Sequence, residues 1–168
     1  AGAAFVGPNA HAIRAMGDKI ESKRLAASAG VSTIPGVESV LKNAEEAVAV
    51  AKQVGYPVML KASAGGGGKG MRIAYDDAEA AAGFQLSAAE AASSFGDDRI
   101  FIERYVEEPR HIEIQLIADN HNNVIYLPPR ECSIQRRNQK VVEEAPAPNL
   151  SEETYRRMGE EAVALAKA

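Results

Sequence analysis

The stretch Lys61-Ala62-Ser63-Ala64-Gly65-Gly66-Gly67-Gly68-Lys69-Gly70-Met71 decides how the rest of the chain is read. Gly65, Gly67 and Gly70 satisfy the G-x-G-x-x-G spacing of a dinucleotide-binding turn, which needs a strand before it and a helix after it. Here an apolar run at 57–62 precedes the glycines and another extended run at 71–75 follows, so the helix is missing. A Walker A loop fails as well, because Gly70 stands where Ser or Thr must follow the lysine. What remains is a glycine-rich loop between two antiparallel strands. With no Cβ in the way, its backbone N–H groups can approach phosphates, as a comparable loop covers the nucleotide in protein kinases. A lone glycine run reads first as a flexible hairpin; Lys61 and Lys69 at its flanks shift the reading toward phosphate.

Upstream, Asn43 caps a helix to residue 54, with Glu46 three residues after the cap and Gly55 past the end. Two short helices are expected over 10–16 and 18–29, with Gly30 closing the second. Residues 31–36 read as an extended, proline-punctuated boundary, and residues 3–6 as the tail of a buried strand ended by Gly7-Pro8. Downstream, Asp76-Asp77 caps a long alanine-rich helix to about residue 94, weakened by Gly83. Strands follow at 99–106, 111–118 and 124–127, and Ser151 opens a closing helix. The 111–118 strand alternates: His111, Glu113 and Gln115 on one face, Ile112, Ile114 and Leu116 on the other. That polar face suits either a wet outer surface or the floor of a ligand cleft. The mixture of elements makes the fold class α/β (α+β).

At 168 residues the chain is one modest domain or a piece of a larger one. Apolar residues make up 46%, but 31 of them are alanine, and only nine aromatics are present, with no Trp. So many small side chains suggest reliance on something outside these residues. The lone Cys132 cannot make a disulfide framework or complete a zinc site and reads as structural or incidental. No apolar run is long enough for a membrane helix, nothing resembles a signal peptide, and both ends read as cut. A net charge of −4, with +1 in residues 1–84 and −5 in 85–168, argues against general nucleic-acid binding. Against that background Arg130, Arg136, Arg137 and Lys140 crowd into eleven positions, a density suited to a small anion. A solvated charged loop remains the plain alternative.

Four segments, in order, resemble biotin carboxylase, an ATP-grasp ligase of the biotin-dependent carboxylases. They are Met16-Gly17-Asp18-Lys19, the glycine stretch above, Pro109-Arg110-His111-Ile112-Glu113-Ile114-Gln115, and Gln135-Arg136-Arg137-Asn138-Gln139-Lys140-Val141-Val142-Glu143-Glu144-Ala145-Pro146. The segments at 91–99 and 131–138, including Asn138 where many relatives carry histidine, look most like the α subunits of the propionyl-CoA carboxylase branch.

The resemblance implies a truncated ATP-grasp fold in which nucleotide lies between a small lid and a larger base. Residues 1–32 correspond to the end of an amino-terminal α/β domain and its linker helices, 33–105 to the lid, and 106–168 to the first part of the base. By position, Lys19 and Lys61 match lysines on the ATP phosphates. Gly65, Gly66, Gly67, Gly68 and Gly70, with Met71, match the closing loop; Glu103, Arg104, Tyr105 and Val106 match the hinge beside adenine. His111 and Gln135 match residues lining the nucleotide near the ribose. Lys140 matches the lysine that holds bicarbonate, with Arg136 and Asn138 in the same catalytic segment.

The implied cofactors and substrates are ATP, Mg2+ or Mn2+, bicarbonate, and biotin on a carrier domain. The implied partners are that carrier domain and a carboxyltransferase subunit, within an oligomer, and neither nucleic acid nor membrane. The implied location is the cytoplasm in a bacterium or the mitochondrial matrix in a eukaryote. The family's metal-binding glutamates and a catalytic arginine are expected beyond Ala168, so no metal ligand is expected here. Leu127-Pro128-Pro129-Arg130 departs from a family Gly-Glu-Arg, and Pro129 offers neither a carboxylate nor an N–H. Two other readings are a nucleotide-binding module without turnover and an ATP-grasp ligase acting on an amine; the 135–146 segment argues against the latter. On the carboxylase reading, Lys19, Lys61 and His111 converge on one hollow.

Overall fold

A computed structural model describes residues 2–168. Side-chain caps place the helices. Asn9 caps α1 (Ala10–Gly17), and the Asp18 carboxylate accepts from the backbone N–H groups of Ile20 and Glu21 to open α2 (Lys19–Ser28). Asn43 caps α3 (Ala44–Val54), while the Glu46 side chain reaches back to the Lys42 N–H at 2.7 Å. Between α3 and the next helix lie β1 (Val58–Ala62) and β2 (Met71–Ala74). Asp76 then caps α4 (Asp77–Phe95), and β3 (Ile100–Arg104) follows.

These strands form an antiparallel sheet in the order β2-β1-β3, with Leu60 opposite both Arg72 and Ile102. Alternation along β1 turns Val58, Leu60 and Ala62 toward α3 and α4, and Met59 and Lys61 away from them. Alanines at 47, 51, 80 and 91 are buried in this layer and let the helices lie close on the sheet. Gly83 belongs to the same packing: a Cβ there would sit 3.2 Å from Leu60 Cδ1, so the residue expected to weaken α4 also permits its close approach.

The linker is extended, as Pro35 suggests, and runs along β3. The Arg104 N–H donates to Pro35 O, Val37 N–H to Ile102 O, and Leu41 N–H to Ile100 O, at 2.8–3.1 Å. Gly36 is required at the closest point, where a Cβ would meet Ile102 O at 2.6 Å.

Beyond residue 105 the structure corrects several expectations. The 111–118 run is not one strand. It divides into β4 (Ile112–Glu113) and β5 (Leu116–Ala118), which serve different sheets, and Gln115 O in the gap accepts the Leu127 N–H at 2.9 Å. β5 pairs with β6 (Val124–Tyr126), whereas β4 pairs with β7 (Arg130–Arg136), which pairs with β8 (Gln139–Glu144). The charged segment is therefore a hairpin rather than a loop. Arg137 and Asn138 take φ of 52° and 61°, a two-residue turn with both residues left-handed, which matches strand twist.

Pro129 sits one residue before β7, where a missing N–H breaks no ladder, and its carbonyl accepts the Ala147 N–H at 2.7 Å. Ser151 caps α5 (Glu152–Lys167), which packs on β6 through Gly159 against the Tyr126 ring and through an edge-on Tyr126–Tyr155 pair 5.5 Å apart. Residues 3–6 form no strand: Val6 is 98% exposed, and an apolar run without a neighbouring edge has nothing to pair with.

Candidate functional site

The structure gathers charged side chains into two groups. The first lies where the start of α2 meets the ends of β1 and β3. Asp18 does more than cap: its Oδ1 accepts the Ser63 hydroxyl at 2.9 Å, and its Oδ2 accepts Arg99 Nη2 at 2.8 Å. This ties α2 to the start of the glycine loop and aims Lys19 along it. The Lys19 ammonium donates to Ala62 O (3.0 Å), Ala64 O (3.3 Å) and Gly65 O (2.7 Å). Burial, and then the neighbouring Lys61 ammonium, pull Lys19 below the usual lysine range. Lys61 points from the sheet face away from the helices, with Met71 and Phe101 directly opposite it on the flanking strands, and pairs with Glu103. Lys23, four residues after Lys19, reaches the other oxygen of the same Glu103 at 3.4 Å.

The loop is shaped for approach. Gly65, Gly67, Gly68 and Gly70 all have φ between 66° and 81°, the left-handed region that glycine enters without strain. At Gly66 and Gly67 nothing lies within 4 Å of where a Cβ would stand, so the tip is open; at Gly70 a Cβ would meet the Ala62 Cβ at 2.8 Å. In the segment expected to form the hinge, the Tyr105 N–H donates to Pro57 O at 3.0 Å, while Arg104 and Val106 are exposed.

The second group is built on the β4-β7-β8 sheet around Glu113. Its carboxylate takes Lys140 and His111 Nε2 (3.0 Å) on Oε1 and Arg130 Nη2 (2.8 Å) on Oε2. Arg130 also holds Glu143 at 2.5 Å, and Gln135 Nε2 lies 2.8 Å from His111 Nδ1. The hydrogen bond from Lys140 holds Glu113 below the usual carboxylate range, and the same bond holds Lys140 above the usual lysine range. Cys132 is fully buried, and burial, followed by Glu113 and Glu143, pushes its thiol up, so it is no ready nucleophile.

The structure thus brings Lys19 and Lys61 together, with Met71 and Glu103, and separately gathers His111, Gln135 and Lys140. Arg136 and Asn138 stand at the hairpin end, away from the Glu113 contacts. Asn138 abuts Gly68, the point where the two groups meet. Reading the sequence missed Lys23, whose signal is its i+4 spacing from Lys19 on a helix. It placed Asp18 in a motif and Arg130 in the cation cluster but gave neither a role of its own.

Glu113, Cys132 and Glu143 offer ligand atoms within 4.8 Å of one another. They do not fit Mg2+, which takes hard oxygen ligands: both carboxylates are already engaged by Lys140 and Arg130, and the third atom is a thiol.

The chain that carries this loop is matched by known proteins. Residues 18–168 fit the family described as carbamoyl-phosphate synthase L chain, ATP binding domain. The chain belongs to that family. Within this ATP-binding family it is 67% identical over 164 residues to the mitochondrial propionyl-CoA carboxylase alpha chain of Homo sapiens, covering 98% of this chain and 22% of that protein. The biotin carboxylase–β-γ-ATP complex from Campylobacter jejuni superposes with a TM-score of 0.93 at 45% identity. The biotin carboxylase domain of Hydrogenobacter thermophilus 2-oxoglutarate carboxylase, in complex with MgADP, ADP and bicarbonate, gives 0.92 at 47%. Each match covers 97% of this chain and 36% of the other, so the fold is that of part of a biotin carboxylase. Among the described residues no helix is long and apolar enough to cross a membrane.

Proposed function

We propose that this chain is the ATP-binding central part of a biotin carboxylase that serves a propionyl-CoA carboxylase. The observation that carries the reading is the meeting of Lys19 and Lys61 at the base of a glycine loop whose tip is open. In this chemistry ATP activates bicarbonate as carboxyphosphate, whose CO2 passes to a ureido nitrogen of biotin on a carrier domain. Lys19 and Lys61 neutralise phosphoryl charge as it moves, and the N–H groups of Gly65, Gly66, Gly67, Gly68 and Gly70 close over the phosphates. Glu103, Arg104, Tyr105 and Val106 form the hinge beside adenine, with Met71 next to it; His111 and Gln135 line the ribose side.

Lys140 holds bicarbonate, exchanging Glu113 for the substrate anion, and Arg136 and Asn138 complete that end of the site. Closure of the lid (33–105) on the base (106–168) excludes water, with 1–32 as the link to a preceding domain. A carrier domain, a carboxyltransferase subunit and an oligomeric assembly are the expected partners. The expected compartment is the cytoplasm of a bacterium or the mitochondrial matrix.

Lys61→Met in a complete carboxylase carrying this sequence is the test. Bicarbonate-stimulated phosphate release should fall by on the order of 10^2–10^3, the scale of one lost charge-stabilising group; a variant within twofold of the parent would overturn the reading. The 168 residues alone are expected to show no such release: the Glu113, Cys132 and Glu143 cluster does not fit Mg2+, and the resemblance puts the metal-binding glutamates outside these residues.

A further inference from the structure

The roles given above leave Lys23 without one. Glu103 divides its carboxylate between two cations, Lys61 on Oε1 and Lys23 on Oε2 at 3.4 Å. The Lys23 side chain keeps 10% of its accessible surface and that of Glu103 keeps 9%, so this is no solvated surface pair. Sequence distance makes the arrangement specific: Lys23 comes from α2, Lys61 from β1 and Glu103 from β3.

Lys61 cannot hold Glu103 and a triphosphate with equal strength. When it turns to phosphate, a carboxylate with no other partner would be stranded away from water, which is strongly unfavourable. We propose that Lys23 is a positioning residue that keeps Glu103 paired and thereby releases Lys61 to the nucleotide. This inference rests on the assignment of Lys61 to the ATP phosphates. Without Lys23, Glu103 has Lys61 as its one cation in this network and retains it, so the phosphate-ready population of Lys61 falls. Nucleotide affinity then drops by the same fraction. Bicarbonate binding, assigned to Lys140 on another sheet, is untouched.

The experiment uses the complete carboxylase, with ATP and bicarbonate varied in turn. Lys23→Met should raise the KM for ATP about tenfold, through the reduced competent fraction, and leave the KM for bicarbonate within about twofold. Lys23→Arg should restore the parent KM for ATP. In a Glu103→Gln background, where no buried charge needs a partner, Lys23→Met should add less than about twofold. Should Lys23→Met fail to fold, Lys23→Gln carries the same expectation. An unchanged KM for ATP, equal changes in both KM values, or a full-sized effect in the Glu103→Gln background would overturn the proposal. Lys61→Met separates the two levels. If it leaves ATP binding intact, the nucleotide reading and this inference fall together; if it abolishes binding while Lys23→Met changes nothing, this inference falls alone.

Discussion

The β2-β1-β3 and β4-β7-β8 sheets have three antiparallel strands each and are held by opposite means. The first is a packed layer: Val58, Leu60, Ala62, Ala74, Ile100 and Ile102 are buried under two helices, and their alternation fixes the register. The second has little apolar cover. Every residue of β8 is exposed, Val141 at 63%, and Cys132 is the one fully buried side chain of β7. Register there comes from the left-handed turn at Arg137 and Asn138 and from ion pairs linking Glu113, Lys140, Arg130 and Glu143. Such half-exposed pairs contribute roughly 0–1 kcal/mol each. One sheet is therefore stiff and the other adjustable, and the adjustable one carries the lysine assigned to a small anion.

The largest expected effect is in the stiff sheet. Leu60→Ala removes a fully buried side chain at its centre and should cost about 2–5 kcal/mol, whereas Val141→Ala on β8 should stay within about 0.5 kcal/mol. Urea denaturation of both variants measures the difference, and equal losses would mean that the two sheets share one core. A smaller contrast lies inside the glycine loop. Gly70→Ala meets both a left-handed φ and the Ala62 Cβ, and should destabilise by about 1–3 kcal/mol. Gly66→Ala faces open space and should be close to neutral in the same melts.

The stiff half was readable from sequence because its signals are local. Asn43 and Asp76 cap where their side chains say they should, and the buried alternation of β1 stands between a proline and the glycines. The adjustable half was not. A fully exposed strand shows no apolar period, so β8 was hidden in its own charges. The break at Ile114-Gln115 arises because β4 and β5 have different partners, which alternation cannot reveal. Within the site, the glycine run drew attention to the flanking Lys61 and Lys69, whereas Lys19 was singled out through order-of-motif resemblance. The Lys61–Glu103 pair depends on the β1–β3 register across 42 residues, and Lys23 joins only once α2 is docked on that face.

Acid should separate the two sheets with the smallest effect of the three. Glu113 is held below the ordinary glutamate value of 4.5, first by the Lys140 hydrogen bond and then by the Lys140, Arg130 and His111 charges. A depressed carboxylate means that the unfolded or opened hairpin binds more protons than the closed one. Its contribution is therefore complete above about pH 4.5 and disappears as pH falls through the lower value of the folded state. Lys140, raised by the same bond, gives the mirror image: its contribution holds below the ordinary lysine value and fades only as pH climbs past the raised one. Amide exchange on β7 and β8, corrected for intrinsic rates, should accelerate below pH 4.5 while β1 stays protected by Leu60 and Val58, whose burial carries no charge to titrate. Glu113→Gln should flatten that acid dependence on β7 and β8 and leave β1 as it was. Simultaneous loss of protection in both sheets would show that the ion-pair network is coupled to the apolar layer, and the division between a stiff and an adjustable half would not survive it.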